Sequence, residues 1–539
     1  MAFSSDPSAS ADVDVLVVGA GITGVYQLLR ARDAGFSAGL VEAGGGVGGT
    51  WFWNRYPGAR FDSESYTYAY LFSKDLFDEW EWQEHFAAQP ETERYLNHVV
   101  DRFDLRRDMR FGQRVTSAVF DERAARWTVG CDSGSEVTAR FLVAATGVLS
   151  VPYFPDVAGL DDFGGEQHHT GLWPDAPVDF EGARVAVIGT GSSGVQLIPA
   201  IAGEVESLTV YQRTANWCTP LNNAPITPDE QARLRADFER IRDTLSTSPH
   251  GFLHEPLNRN ASDDSVEERR AFFEKMWQSP GFSKLTSNYT DLLFDHAANA
   301  EWCDFIAEKI RTTVDDPATA AKLIPTDHRF GEKRPPFVAG YYETFNRRNV
   351  ELVDLTETPI VRVSPRGIVT AAGERELDII VWATGFDFGT GALLRMGIRG
   401  RDGVALPDHW ADGPTTFLGV QTAGFPNLFF PGGPHAAAGN NPRYNTDQVD
   451  FVTDALVHAR DHGFDTIEVE PEAVERWSDM IDRNVGLSSF TEKSYYYGTN
   501  IPGKPRRYLL NSGGRPKLFR EMGRVVETDY EAFRLSRSG

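Results

Sequence analysis

Two glycine-rich turns carry the first sign of chemistry in this 539-residue chain. Gly19, Gly21 and Gly24 form GxGxxG directly after the apolar run Asp12 to Gly19, and Gly189, Gly191 and Gly194 repeat it after Ala183 to Gly189. Between a strand and a helix, this spacing lets the backbone approach a pyrophosphate and aims a helix N-terminus at it. A bare GxGxxG is weak in a chain with 50 glycines: Gly44, Gly46 and Gly49 also fit, yet no amphipathic helix follows them. The two contextual matches differ in the residue that ends the second strand of each unit. Glu42 offers a carboxylate to both hydroxyls of a ribose and repels a 2′-phosphate, which fits FAD or NAD. Arg213, followed by Thr214, offers a guanidinium that pairs with the 2′-phosphate of NADPH.

The elements that position these residues are two βαβ units. In the first, a helix runs through Arg32 and a strand, SAGLVEA, follows; in the second, a helix to about Ala202 precedes SLTVYQR. Matching turns at Ala145, Thr146, Gly147 and at Ala383, Thr384, Gly385 close the two halves. From Pro220 to about Leu323 the pattern becomes helical and charged. Capping boxes open at Thr227 with Glu230 and at Ser265 with Glu268, and Leu234, Phe238, Ile241 and Leu245 space out one helical face. The fold class is therefore α/β, with two Rossmann-like dinucleotide-binding domains and a helical insertion in the second. Expected boundaries are 1–150 with 387–539 for FAD, 151–220 with 324–386 for NADPH, and 221–323 for the insertion. Residues 1–11, rich in Ser, Ala and Asp, read as a disordered lead-in.

Composition narrows the function classes. A formal charge of −24 argues against nucleic acid or an anionic membrane as partner. No apolar run approaches a membrane span, and no Lys or Arg precedes Arg30 to start a signal peptide, so a cytoplasmic location is expected. Cys131, Cys218 and Cys303 lie far apart, which leaves neither a disulfide framework nor a CxxC redox pair. No metal site is expected.

Between the two units lies FGGEQHHTGLWP, which fits FxGxxxHxxxWP at Phe163, Gly165, His169, Trp173 and Pro174. Upstream, GGTWFWNRYPGARFD at Gly48 to Asp62 supplies the Gly, Trp, Tyr-Pro-Gly and Asp of a second signature. With these residues the chain resembles the type I Baeyer-Villiger monooxygenases, class B flavoproteins that use FAD, NADPH and dioxygen, over about residues 13–520. The resemblance implies insertion of one oxygen atom of O2 beside a ketone carbonyl, through a C4a-peroxyflavin and a tetrahedral adduct, to give an ester or lactone. It also implies residue roles. Arg334, in RFGEKRPP at Arg329 to Pro336, matches the catalytic arginine and Asp62 the carboxylate that holds it. Lys333 joins Arg213 on the 2′-phosphate, with Ser192 and Thr214 close by, and Gly49, Thr50 and Trp51 contribute to cofactor binding. Tyr495, where the family usually has Trp, sits in a loop that folds over the nicotinamide cofactor. Pro335 and Pro336 depart from the family's apolar residues and stiffen the arginine loop. The loop Gly432 to Asn441 lies on the substrate side, and its small Ala436, Ala437, Ala438 and Gly439 suggest a roomy pocket. His169 reads as a structural histidine rather than a general base. The alternative is a flavin-dependent sulfur or nitrogen monooxygenase. The missing CxxC weighs against a disulfide reductase, and Arg334 with Asp62 against a non-catalytic NADPH sensor.

Overall fold

β1 (Val13–Val18), α1 (Ile22–Asp33) and β2 (Ala38–Val41) form the first unit of the computed structural model, which describes residues 12–488, 491 and 493–537. The lead-in at 1–11 lies outside the described residues. β1 runs parallel to β2 on one side and to the strand Glu136–Ala144 on the other. Buried on both faces, β1 can be a nearly unbroken apolar run. Farther out the sheet turns antiparallel through Arg126–Cys131 and Val115–Asp121, and there burial alternates as expected of a half-solvated sheet.

The chain returns to this sheet late. Two-residue strands, Ile398–Arg399 and Leu428–Phe429, pair in parallel with Val115–Asp121 and Glu136–Ala144. The helix Asn441–Asp461 then lies along α1, where Asp450 accepts hydrogen bonds from the Tyr26 hydroxyl (2.8 Å) and the Arg30 guanidinium (2.7 Å).

The second sheet is wholly parallel, in the order Val350–Asp354, Ser207–Gln212, Arg184–Ile188, Ile379–Trp382, Glu166–His169. Between Ser207–Gln212 and Val350–Asp354 the chain makes a series of helices from Pro228 to Leu323. Both capping boxes form, at Thr227 with Glu230 and at Ser265 with Glu268. The single helical face read through Leu234 and Leu245 is divided in two. Asp237, at φ −90° and ψ 7°, ends the helix Pro228–Ala236 by donating its N–H to Arg233 O and Arg235 O, and the next helix, Phe238–Thr247, buries Phe238, Ile241 and Leu245 against Leu71 and Phe77. The break lets the second helix turn its apolar side toward the first half of the chain.

All three cysteines are free and buried. Burial pushes the Cys303 thiol up to about 12 and raises those of Cys131 and Cys218. Among the described residues no cluster of His, Cys, Asp and Glu could hold a metal ion, and no helix is long and apolar enough to cross a membrane.

Burial acts on histidine in one direction here. His169 and His435 are both pushed down to about 4, chiefly by loss of solvation, and His250, His328, His409 and His458 are lowered too. These groups take up protons more readily in the unfolded chain, so their contribution to stability is complete above about pH 6.5 and is lost as pH falls toward 4. The thermal midpoint is therefore expected to drop between pH 7 and pH 5, and His435→Gln, if folded at pH 7, should show a shallower drop in the same melting series.

Candidate active site

Both glycine turns are built by close contact. Gly19, at φ +108°, places its α-carbon where a Cβ would come within 2.6 Å of Ala145 O, and Gly189, at φ +109°, occupies the same relation to Ala383 O. Gly24 and Gly194 face the carbonyls of Gly19 and Gly189 so closely that any side chain would overlap them. These two glycines do not reach the cavity; they set how near each helix lies to its strand. The turns Ala145 to Gly147 and Ala383 to Gly385 thus serve as the floors of the two cradles.

The cradles open into one cavity of about 1670 Å³. Its walls include Gly19, Gly21, Glu42, Gly49, Thr50, Trp51 and Asp62 from the first half, and Gly189, Gly191, Ser192, Arg213, Thr214, Lys333, Arg334 and Tyr495 from later segments. Neither α1 nor the helix Ser192–Ile201 has a side-chain cap, so the N–H groups and positive dipole of their first turns are left for a ligand. At Gly191 nothing lies within 4 Å of where a Cβ would stand. That space beside an uncapped helix suits a pyrophosphate.

Glu42 is buried just after β2 and fixed from both sides, with Ala20 N–H donating to Oε2 (2.7 Å) and Gly44 N–H to Oε1 (2.7 Å). Each oxygen keeps a lone pair for a hydroxyl. Arg213, by contrast, is exposed at the end of Ser207–Gln212, and Lys333 lines the same cavity, paired with Asp327 (3.1 Å). The acceptor set of one cradle and the cation set of the other match an unphosphorylated ribose and a 2′-phosphate, respectively.

Where the cradles meet, Arg334 makes a forked ion pair with Asp62: Nη1 to Oδ2 at 2.8 Å and Nη2 to Oδ1 at 2.6 Å. Burial works against the guanidinium charge, but the Asp62 carboxylate outweighs it and holds the arginine pKa above its usual value. The guanidinium lies over the ring of Phe282 at 4.6 Å. Phe282 stacks on Phe252 (5.0 Å) and Phe252 on His254 (5.1 Å), whose Nε2 meets Glu64 Oε1 at 2.6 Å. Tyr495 and Tyr496 complete this side of the cavity, and burial raises the pKa of both hydroxyls, keeping them protonated.

The two sequence signatures meet here as joinery. Trp173 donates its backbone N–H to Trp53 O (3.2 Å) and sets its ring edge on Tyr56. Tyr56 in turn donates to Gln196 Oε1 (2.8 Å), tying the second signature to the helix Ser192–Ile201. Phe163 packs among Ile380, Trp382 and Val363, and His169 is paired in register with Trp382. The His169 Nδ1 accepts the Gly171 N–H (2.9 Å), and the ring lies off the cavity wall. In the loop Gly432 to Asn441, Ala437, Ala438 and Gly439 line the cavity but Ala436 does not. Ala436 is buried behind it because His435 anchors the loop inward, accepting from the Thr416 hydroxyl (3.0 Å) and donating to Tyr508 O (2.8 Å).

Sequence reading missed Asp327, Phe282, Gln196 and Tyr496. Only Tyr496, next to Tyr495 in an aromatic run, carried a local signal.

A family profile described as pyridine nucleotide-disulphide oxidoreductase matches residues 16–247. The chain is 42% identical to the 2-oxo-Delta(3)-4,5,5-trimethylcyclopentenylacetyl-CoA monooxygenase of Pseudomonas putida over 545 residues, which covers 99% of this chain and 100% of the relative. It is 40% identical to the cyclopentanone 1,2-monooxygenase of Comamonas sp. over 534 residues, covering 98% and 97%. Among solved structures, the OTEMO complex with FAD and NADP superposes with a TM-score of 0.95 at 42% identity and covers 98% of this chain and 100% of its own. Identity of this extent along the whole length shows the family: the chain belongs to the Baeyer-Villiger monooxygenases.

Proposed function

We propose that this protein is an FAD- and NADPH-dependent Baeyer-Villiger monooxygenase that inserts one oxygen atom of O2 beside the carbonyl of a small-molecule ketone, giving an ester or lactone. The observation that carries this reading is the Asp62–Arg334 fork, set where two cradles of opposite ribose preference share one cavity. When bound, FAD and NADPH supply the hydride and oxygen-transfer chemistry.

The protein's residues then have separate tasks. Glu42 holds the FAD ribose, and the first turn of α1 faces the pyrophosphate. Arg213 and Lys333 hold the 2′-phosphate of NADPH, with Ser192 and Thr214 on the same cavity wall; Lys333 is paired with Asp327. Asp62 takes one N–H from each terminal nitrogen of Arg334 and the Pro335 carbonyl accepts from Nη1 as well (3.3 Å), which leaves Nε and the second N–H of Nη2 to stabilise negative charge as it develops on the ketone oxygen. Asp62 orients and does not react. Phe252, Phe282 and Leu285 pack together on the apolar side of the guanidinium, which strengthens that interaction and keeps water back from that side. The small Ala437, Ala438 and Gly439 leave room for cyclic ketones.

Purified protein supplied with FAD, NADPH and a panel of linear, cyclic and aryl ketones is expected to yield esters or lactones by mass spectrometry; sulfoxide from an added sulfide with no ester from any ketone would instead favour the heteroatom oxygenase. Arg334→Ala should lower ester formation by about 10²–10³-fold while the bound flavin absorbance is retained. Arg213→Ala should weaken NADPH binding on the order of tenfold and leave NADH binding nearly unchanged, as read by titration of the two nucleotides; an unaltered ratio of affinities rules out the phosphate role.

A further inference from the structure

Glu332 directly precedes Lys333 and Arg334 and is 3% exposed. Both of its carboxylate oxygens are engaged. Oε2 accepts the Arg329 N–H (3.1 Å), while the Glu332 N–H donates to Arg329 O (3.2 Å), which closes the turn that leads into the arginine segment. Oε1 accepts the backbone N–H of Thr491 (2.9 Å) and its hydroxyl, from a residue 159 positions away.

Thr491 in turn organises the start of a second segment. Its carbonyl accepts the Ser494 N–H (3.2 Å) and its hydroxyl oxygen accepts the Lys493 N–H (3.4 Å). Lys493, Tyr495, Tyr496, Thr499 and Asn500 then form a continuous part of the cavity wall. At the far end, Lys504 binds Asp387 (2.7 Å) and Asn500 donates to Phe386 O (2.8 Å). The wall is thus fastened at each end to a buried carboxylate. The two anchors differ in kind: Asp387 is neutralised by Lys504 and Arg395, whereas the hydrogen bonds to Glu332 come from uncharged groups. A buried carboxylate whose hydrogen-bond donors among the described residues are all neutral is costly for stability alone. Its position, between the arginine segment and the wall opposite, gives that cost a use.

We propose that Glu332 is a positioning residue that couples the wall 493–504 to the segment carrying Lys333 and Arg334, so that a nicotinamide dinucleotide retained behind the wall and the Arg334 guanidinium are held in fixed relation. This rests on the reading that the cavity takes NADP+. Glu332 touches neither; it acts through Thr491 on one side and through its own backbone on the other. Loosening it should let the oxidised nucleotide leave early and waste reducing power as hydrogen peroxide.

The test uses FAD-loaded full-length protein with Glu332→Ala, Thr491→Val and the double variant. Thr491→Val keeps the shape and the backbone donor but removes the hydroxyl, so it carries the test if Glu332→Ala does not fold. Equilibrium NADP+ binding should weaken roughly five- to ten-fold in Glu332→Ala, less in Thr491→Val, and no further in the double variant. The share of consumed NADPH that appears as peroxide should rise in step, and Glu332→Gln, which keeps an acceptor oxygen, should recover most of the loss. Trypsin cleavage after Lys493, followed without nucleotide, should accelerate in the same variants. Additive effects in the double variant, or NADP+ affinity unchanged in both single variants, would overturn the proposal. Absence of NADP+ binding by the unaltered protein would instead remove the reading of the cavity, while faster cleavage alone would still support the anchor.

Discussion

The ion pair between Asp62 and Arg334 is the constraint on which the rest of the molecule depends. Its partners lie 272 residues apart, one following the first cradle and the other reached only after the second cradle and the whole helical region. A side chain with a charge that is never lost must be brought to the junction of two nucleotide sites and kept partly out of water. Removing one partner of this half-buried pair leaves the other charge on the cavity wall without its counter-ion. The geometry closes on itself: from Asp62 through Arg334, Phe282, Phe252 and His254, the contacts end at Glu64, two residues from where they began. A short stretch of backbone therefore holds both ends of a stack contributed by distant segments.

The cradles were legible in sequence because their physics is local. Strand, glycine turn, helix and terminal Glu42 or Arg213 all fall within a few dozen residues, and the glycines are demanded by contacts between neighbouring elements. The arginine and its aspartate were reached only through a family resemblance, since nothing near Arg334 marks it as different from an exposed basic turn. Phe282 beneath it and Asp327 beside Lys333 were invisible for the same reason: each partner's identity is ordinary, and only the fold brings them together. The return strands Ile398–Arg399 and Leu428–Phe429 are too short to show alternation. The division of one helical face at Asp237 reflects tertiary demand, because Phe238, Ile241 and Leu245 are claimed by Leu71 and Phe77 from another part of the chain.

In the stretch Phe163 to Pro174, Gly171 and Leu172 reach the cavity, whereas the signature side chains Phe163, His169 and Trp173 do not. Phe163, His169 and Trp173 join the second sheet to the segment around Trp53 and Tyr56, which leads on to Asp62. Specificity of pattern there reflects the difficulty of joining two separately packed cores through aromatic edges and a few cross-segment hydrogen bonds. Chemistry is left to residues with less conspicuous surroundings.

The burial of all three cysteines has a consequence for an enzyme that handles activated oxygen. Thiolates, not thiols, are what peroxide attacks. With Cys303 held up to about 12 and the other two thiols also raised by burial, the folded protein offers almost no thiolate at neutral pH. Peroxide that escapes the cavity meets thiols that burial keeps protonated and out of reach, so their oxidation is tied to opening of the fold.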